Sequence, residues 1–286
     1  MIASAASHFT VLLATDLDRT LLPNGDQPES PDARPRFRRF VSRPEVILAY
    51  VSGRHRELVE QAMAEYELPG PDFVIGDVGA SLYTVRDGEW FLDEQWRQAI
   101  APDWAETQHD DLAVALADLP DLILQETEKQ APFKLSYYTA ALADPSSLIA
   151  RVRERLDATG ARTNLIGSID ETTATGLLDI LPARAGKLLA LEFLRKKLGI
   201  PLDHTVFAGD SGNDMEVLQS AVPTVLVANA QKLVRATALV RAAKAGHSAS
   251  LYVARGNSAG MNGNYSAGIL EGVAHFIPAT RSWLEA

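Results

Sequence analysis

Three short apolar runs in this chain each break off into a polar cluster, and this pattern constrains the fold more than any other feature. Residues 9–14 end at Thr15 and Asp16, residues 46–51 end at Ser52-Gly53-Arg54, and residues 205–208 end at Gly209-Asp210. An apolar run that stops in this way marks a buried strand delivering polar groups at its carboxyl end. Helical stretches at 55–66 and 187–197 lie between further strand-like pieces, and the alternation predicts an α/β fold with a parallel sheet covered on both faces. Ligands of such sheets bind at the carboxyl ends of the strands, where these clusters fall.

Between residues 84 and 182 the character changes. Trp90, Trp96 and Trp104, a helix near 112–119, strand-like 122–126 and 133–138 and a helix at 146–158 describe an α+β unit. The alternation returns with a strand at 177–181, another at 224–227 and a closing helix at 267–276. We expect a Rossmann-like core from residues 1–83 and 183–286, with residues 84–182 inserted into it. The Gly-, Ser- and Asn-rich stretch 246–268 is expected to be a mobile loop, and the sequence assigns it no role.

The bulk numbers exclude several classes of function. The 286 residues are 47% hydrophobic and 22% charged, so the chain can bury a real core. Its 27 Lys and Arg against 37 Asp and Glu leave a formal charge of -10. That balance disfavours nucleic acid as a partner, which calls for a basic surface. No cysteine is present, which fits a reducing compartment. With no basic, apolar leader and no long apolar run, a cytoplasmic monomer without a membrane span is expected.

The polar clusters carry the chemistry. Asp16-Leu17-Asp18-Arg19-Thr20 places two carboxylates two positions apart just after a strand, and Gly209-Asp210-Ser211-Gly212-Asn213-Asp214 places another pair at the same sheet edge. Either string alone is compatible with a capped surface turn. Together their carboxylates repel, so they call for a hard divalent cation, with Mg2+ the natural candidate. Lys187, at a helix start, adds a compact positive charge. Ser52 and Gly53 add a hydroxyl and a backbone N–H, and the three can cradle phosphate oxygens.

In order and spacing these segments resemble the haloacid dehalogenase superfamily of aspartate-nucleophile phosphatases, and within it the sucrose-phosphate phosphatases. Three further stretches carry the narrower likeness: Gln130-Ala-Pro-Phe-Lys134-Leu-Ser136-Tyr, Leu181-Pro-Ala-Arg184-Ala-Gly-Lys187 and Ser266-Ala-Gly-Ile-Leu-Glu-Gly-Val-Ala-His-Phe. Arg19 and Leu21 depart from the plant pattern of His and Trp. The resemblance implies an α+β cap inserted in the core, with Asp16 as nucleophile and Asp18 as general acid and base. It further implies Mg2+ held by Asp16, Asp18, Asp210 and Asp214, and phosphate held by Thr20, Ser52, Gly53 and Lys187. Substrate contacts would come from Gln130, Lys134, Ser136, Arg184 and Asn213. The implied substrate is a small sugar phosphate, a disaccharide phosphate such as sucrose 6-phosphate. Mannosylfructose, trehalose and hexose phosphates stay open, as do a phosphosugar mutase and a non-catalytic sugar-binding module.

From the residues alone, Phe133, Leu135 and Tyr137 share one face of a strand, with Lys134 and Ser136 on the other. That polar face can meet hydroxyl groups or simply face solvent. The three tryptophans read as packing residues.

Overall fold

Strand β1 (Val11–Thr15) is buried along its whole length, and its successive residues serve two different cores. Val11 and Leu13 join one hydrophobic cluster, and Leu12 and Ala14 join another. This period of two is what a strand covered on both faces requires. The computed structural model describes residues 9–104, 106–140, 146–170, 173–256 and 260–285.

The chain continues through α1 (Ala33–Val41), β2 (Val46–Val51), α2 (Arg56–Glu65), β3 (Phe73–Gly76), β4 (Ser81–Arg86), β5 (Glu89–Leu92) and α3 (Glu94–Ile100). Next come α4 (His109–Leu116), β6 (Ile123–Leu124), β7 (Leu135–Thr139), α5 (Ser146–Asp157), β8 (Thr163–Asp170) and β9 (Thr175–Pro182). The last part holds α6 (Lys187–Lys197), β10 (Thr205–Gly209), α7 (Met215–Leu218), β11 (Thr224–Leu226), α8 (Lys232–Ala245), β12 (Leu251–Val253), α9 (Ser266–Phe276) and α10 (Arg281–Glu285). Among the described residues, no helix is long and apolar enough to cross a membrane.

Two sheets result. The larger runs β12-β11-β10-β1-β2-β3-β4-β5, parallel from β12 to β3 and antiparallel through β4 and β5. The smaller is antiparallel, in the order β6-β7-β9-β8. Because β1 pairs with β2 on one side and β10 on the other, the strand order reverses at β1. A crevice for a ligand opens there, at the carboxyl ends.

Helix packing explains why the large sheet is covered. Phe37 and Phe40 of α1 lie three positions apart on one helix face, fully buried with Ile269 and Val273 of α9. Burying each such phenylalanine is worth about 1.5–3 kcal/mol. On the other face, Ala190, Leu191 and Leu194 of α6 pack with Ile75, Leu82, Trp96 and Ile100. The small sheet has its own core of Trp104, Leu112, Leu116, Leu135, Tyr137, Val152 and Ile180.

One boundary differs from expectation. Division at 83/84 falls inside β4, and β4 and β5 belong to the large sheet. Asp87 and Gly88, with φ of 52° and 80°, turn the chain back into a hairpin that adds two antiparallel strands to the sheet edge. Trp96 packs in the core cluster rather than the inserted one, and the change of core falls between Ile100 and Trp104. The stretch expected as a mobile loop at 246–268 contains β12 and the start of α9; its residues 257–259 lie outside the described set. Buried Glu271 accepts the Tyr252 hydroxyl at 2.7 Å and the N–H groups of Arg255 and Gly256 at 2.8 and 3.0 Å. Asn262 ties the same loop to Pro28 and Ser30.

Candidate active site

Asp16 lies one residue past β1 and is 4% exposed. Its N–H donates to Ala208 of β10 at 2.9 Å, which fixes it at the point where the strand order reverses. Lys187, the first residue of α6, is also buried and donates to three oxygens: Asp16 Oδ1 at 2.9 Å, Asn213 Oδ1 at 2.7 Å and Asp214 Oδ1 at 2.7 Å. Asp214 Oδ2 accepts the N–H groups of Asp210 and Ser211 at 3.0 and 3.1 Å. Thr20 Oγ1 stands 3.4 Å from Asp16 Oδ2 and 3.1 Å from Asp210 Oδ1. Three distant segments of sequence thus meet at one sheet edge.

The electrostatics of this group are unbalanced. Burial, the largest cause, and the charges of Asp214 and Asp18 push Asp16 up to about 7 despite the opposing pull of Lys187. Burial and the charges of Asp16 and Asp214 raise Asp210 well above the ordinary carboxylate range. Burial works against the Lys187 ammonium, but Asp16 and Asp214 more than offset it and keep it charged. Asp16, Asp210 and Asp214 each offer an oxygen within 4.8 Å of the others. Asp210 Oδ2 is buried without a hydrogen bond, with Arg19 Nε 3.5 Å away. An all-oxygen donor set with excess negative charge fits a hard divalent ion such as Mg2+. Asp214 has both oxygens held by Lys187 and two backbone N–H groups, whereas Asp210 keeps one oxygen without a hydrogen bond.

Asp18 points elsewhere. Its Oδ2 accepts Arg54 Nε at 2.8 Å, and its Oδ1 accepts Arg54 Nη2 at 2.6 Å and Asn24 Nδ2 at 2.8 Å. Burial alone would raise this carboxyl, but the Arg54 and Asn24 bonds hold it below its ordinary value. Ser52, fully buried at the end of β2, accepts the Arg54 N–H at 3.1 Å and sits beside Gly53.

Above these groups opens a cleft of about 990 Å³, lined by the core at Asp16, Asp18, Gly53, Arg54, His55, Asp210 and Asn213. Gln125, Glu126, Lys129, Lys134, Tyr138 and Asp179 of the inserted unit line its opposite wall. Of the residues expected to contact substrate, Lys134 and Asn213 lie on this cleft, whereas Gln130, Ser136 and Arg184 do not. Gln130 is spent on backbone groups: its Nε2 donates to Gln125 O and Ser136 O, and its Oε1 accepts Ser136 N–H. Ser136 stands opposite Asp179 in the β7–β9 register and donates to it at 2.6 Å. Arg184 clasps buried Asp103 through its backbone N–H and its guanidinium, at 2.6, 2.9 and 2.8 Å. That clasp joins the two chain segments crossing between the sheets.

Arg54 and Asp179 are cleft residues that sequence reasoning passed over. Arg54 directly follows Ser52-Gly53, and Asp179 interrupts an apolar strand at the period that would aim it away from Leu178 and Ile180.

A parallel core carrying an inserted α+β cap, with buried aspartates and a lysine at the carboxyl ends of its strands, defines the haloacid dehalogenase class of hydrolases. The family model for sucrose-6F-phosphate phosphohydrolase matches residues 9–277. The chain belongs to that family and is a phosphoric monoester hydrolase. It is 53% identical to a protein of Nitrosococcus oceani named as a HAD-like hydrolase, across 96% of this chain and 74% of that one. It is 32% identical to the mannosylfructose-phosphate phosphatase of Agrobacterium fabrum, across 77% of this chain and 83% of that one. The structure of the sucrose-phosphatase from Synechocystis sp. PCC6803, in complex with sucrose and phosphate, is similar with a TM-score of 0.75 at 28% identity, covering 93% of this chain and 98% of that one.

Proposed function

We propose that the chain hydrolyses a disaccharide phosphate such as sucrose 6-phosphate, with Mg2+ as cofactor and Asp16 as nucleophile. The observation that carries this reading is the cleft of about 990 Å³, which has Asp16 at one end and the polar wall of Lys134, Gln125 and Asp179 at the other. Its size suits a ligand larger than a simple ester. Family membership and the relatives' named activities favour a sugar phosphate within that class.

In this reading the Asp16 carboxylate attacks phosphorus, and the sugar alkoxide leaves with a proton from Asp18. Asp18 then takes a proton from the water that attacks the aspartyl phosphate. Asp16, Asp210 and the backbone carbonyl of Asp18 would hold Mg2+, which when bound offsets negative charge on the phosphoryl oxygens. Thr20, Ser52, Gly53 and Lys187 hold those oxygens, while Asn213 and Asp214 keep Lys187 aimed. Such positioning is most of what phosphoryl transfer asks of a protein. Asp18 must separate from Arg54 before it can carry a proton, and a phosphate dianion can draw the guanidinium onto its own oxygens.

The core, reaching to about Ile100 and resuming after Pro182, would supply the chemistry, and the cap between them the selectivity. Specificity constants for sucrose 6-phosphate, mannosylfructose phosphate, trehalose 6-phosphate and hexose phosphates test the substrate. A disaccharide phosphate should lead the series. Preference for a monosaccharide phosphate would overturn the substrate while sparing the chemistry.

A further inference from the structure

Between β3 and β4 the backbone makes an unusual turn. Asp77, Val78 and Gly79 all have positive φ, at 51°, 57° and 99°. Left-handed backbone is uncommon for any residue but glycine, and for a β-branched valine it is an outlier that surrounding structure must enforce. The enforcing contacts are visible. Asp77 N–H donates to Arg54 O at 3.0 Å, and Val78 N–H donates to Ser52 O at 3.0 Å. Ser81 Oγ donates to Asp77 Oδ2 at 2.6 Å. Trp96 Nε1 donates to Gly79 O at 3.1 Å.

On its other side the turn meets the catalytic lysine's own backbone. A Cβ on Gly79 would stand 2.2 Å from Gly186 C, 2.4 Å from Gly186 O and 2.6 Å from Lys187 N. No side chain can move aside there, because the colliding atoms are backbone. A tight turn alone does not need this closeness. Gly88, in the β4–β5 hairpin, has a similar φ of 80°, yet a Cβ there would meet nothing within 4 Å.

We propose that the Asp77-Val78-Gly79 turn is a spacer that sets Lys187 against the Ser52–Gly53 segment, with Gly79 and Trp96 as positioning residues for the phosphate site. The proposal rests on the assignment of Ser52, Gly53 and Lys187 to phosphate made above. The geometry gives the reason. One face of the turn is bonded to the carbonyls of Ser52 and Arg54, and the other abuts Gly186 and Lys187, so its thickness fixes their separation. Trp96 holds it from behind, with its ring 5.1 Å from that of Phe193 on α6. Asp93, the N-cap of α3, meets Lys197 at the far end of α6. Helix α3 therefore braces both the turn and the helix that begins with Lys187.

The test compares Gly79→Ala with Gly88→Ala, both of which place a side chain on left-handed backbone. Binding of inorganic phosphate in the presence of Mg2+ is measured by calorimetry. Turnover of p-nitrophenyl phosphate is measured well below each variant's Tm. Gly79→Ala should weaken phosphate binding and lower kcat/KM by about a hundredfold, the scale of a misplacement near one ångström. Gly88→Ala should keep both near wild type whatever its loss of Tm. Trp96→Phe keeps the aromatic packing and removes the donor, and it decides the matter if Gly79→Ala does not fold. It should weaken phosphate binding about threefold to tenfold. Wild-type phosphate affinity in folded Gly79→Ala, or in Trp96→Phe, would overturn the spacer. Wild-type protein that neither binds phosphate nor hydrolyses the ester would overturn the site assignment instead.

Discussion

The guanidinium of Arg54 holds both carboxylate oxygens of Asp18, through Nε at 2.8 Å and Nη2 at 2.6 Å. This pair keeps Asp18 ionised, whereas in the proposed mechanism expelling an alkoxide calls for its protonated form.

Removing the guanidinium should therefore shift the pH profile. In Arg54→Met the carboxyl loses the bonds that lower it, so its pKa rises. For an alkyl phosphate, kcat/KM should decline at a higher pH than in wild type, since the active form is protonated. For p-nitrophenyl phosphate, whose leaving group needs little protonation, the profile should barely move. Equal shifts for both esters would remove Asp18 as the acid. Asp18→Asn itself should slow alkyl esters by about a hundredfold to ten-thousandfold.

Metal dependence should appear in stability as well as in rate. Without a metal ion, burial and neighbouring carboxylates raise Asp16 to about 7 and hold Asp210 well above its ordinary value. Between the ordinary carboxylate range and those raised values, the folded chain binds more protons than the unfolded one, so stability falls as pH rises through that window. Mg2+ should oppose the repulsion and raise Tm more at pH about 8 than at about 5.5. Chelation should abolish turnover and Mg2+ restore it, while Ca2+, with its looser and higher coordination, should inhibit. A Tm increment from Mg2+ independent of pH would show that these carboxylates do not bind the metal, and full activity in Ca2+ would show that the metal's role is wrongly assigned.

Lys134 should govern selectivity. It is 5% exposed, and its Nζ donates to Lys129 O at 2.7 Å on the cap wall of the cleft. Lys134→Ala should reduce the preference for a disaccharide phosphate over p-nitrophenyl phosphate by tenfold or more, the effect of about 1–3 kcal/mol from a lost buried donor. Ser136→Ala should act in the same direction through Asp179, which loses its 2.6 Å donor. Unchanged ratios of specificity constants in both variants would remove this wall from substrate recognition.

The parts of the fold legible in the sequence were those where a single period dominated. The runs around Leu13, Leu48 and Phe207 are apolar because both faces are covered, and each stops where the crevice opens. Strand β8 was not read, since Thr163–Asp170 mixes Gly167 and polar residues along a largely unburied sheet edge. Helix α8 escaped for a related reason: it buries Ala238 and Ala242 while exposing Leu233 and Val240, so its apolar residues mark no single face.

The site divides in the same way. Carboxylates clustered at strand ends could be gathered from sequence because their mutual repulsion and placement reinforce each other. Gln130, Ser136 and Arg184, expected to contact substrate, instead bond to backbone, Asp179 and Asp103, because a polar side chain can meet such partners as readily as a ligand. The left-handed Val78 left no trace at all, since nothing in valine's chemistry predicts that conformation.

The central claim is that Asp16 becomes phosphorylated, and acid quenching during steady-state turnover, followed by mass spectrometry of the Asp16 peptide, tests it most directly. The account predicts one phosphoryl group on Asp16 in wild type, with Asp16→Asn folded, unlabelled and inactive. Turnover by clean Asp16→Asn protein, or a phosphoryl group carried by another residue, would contradict it.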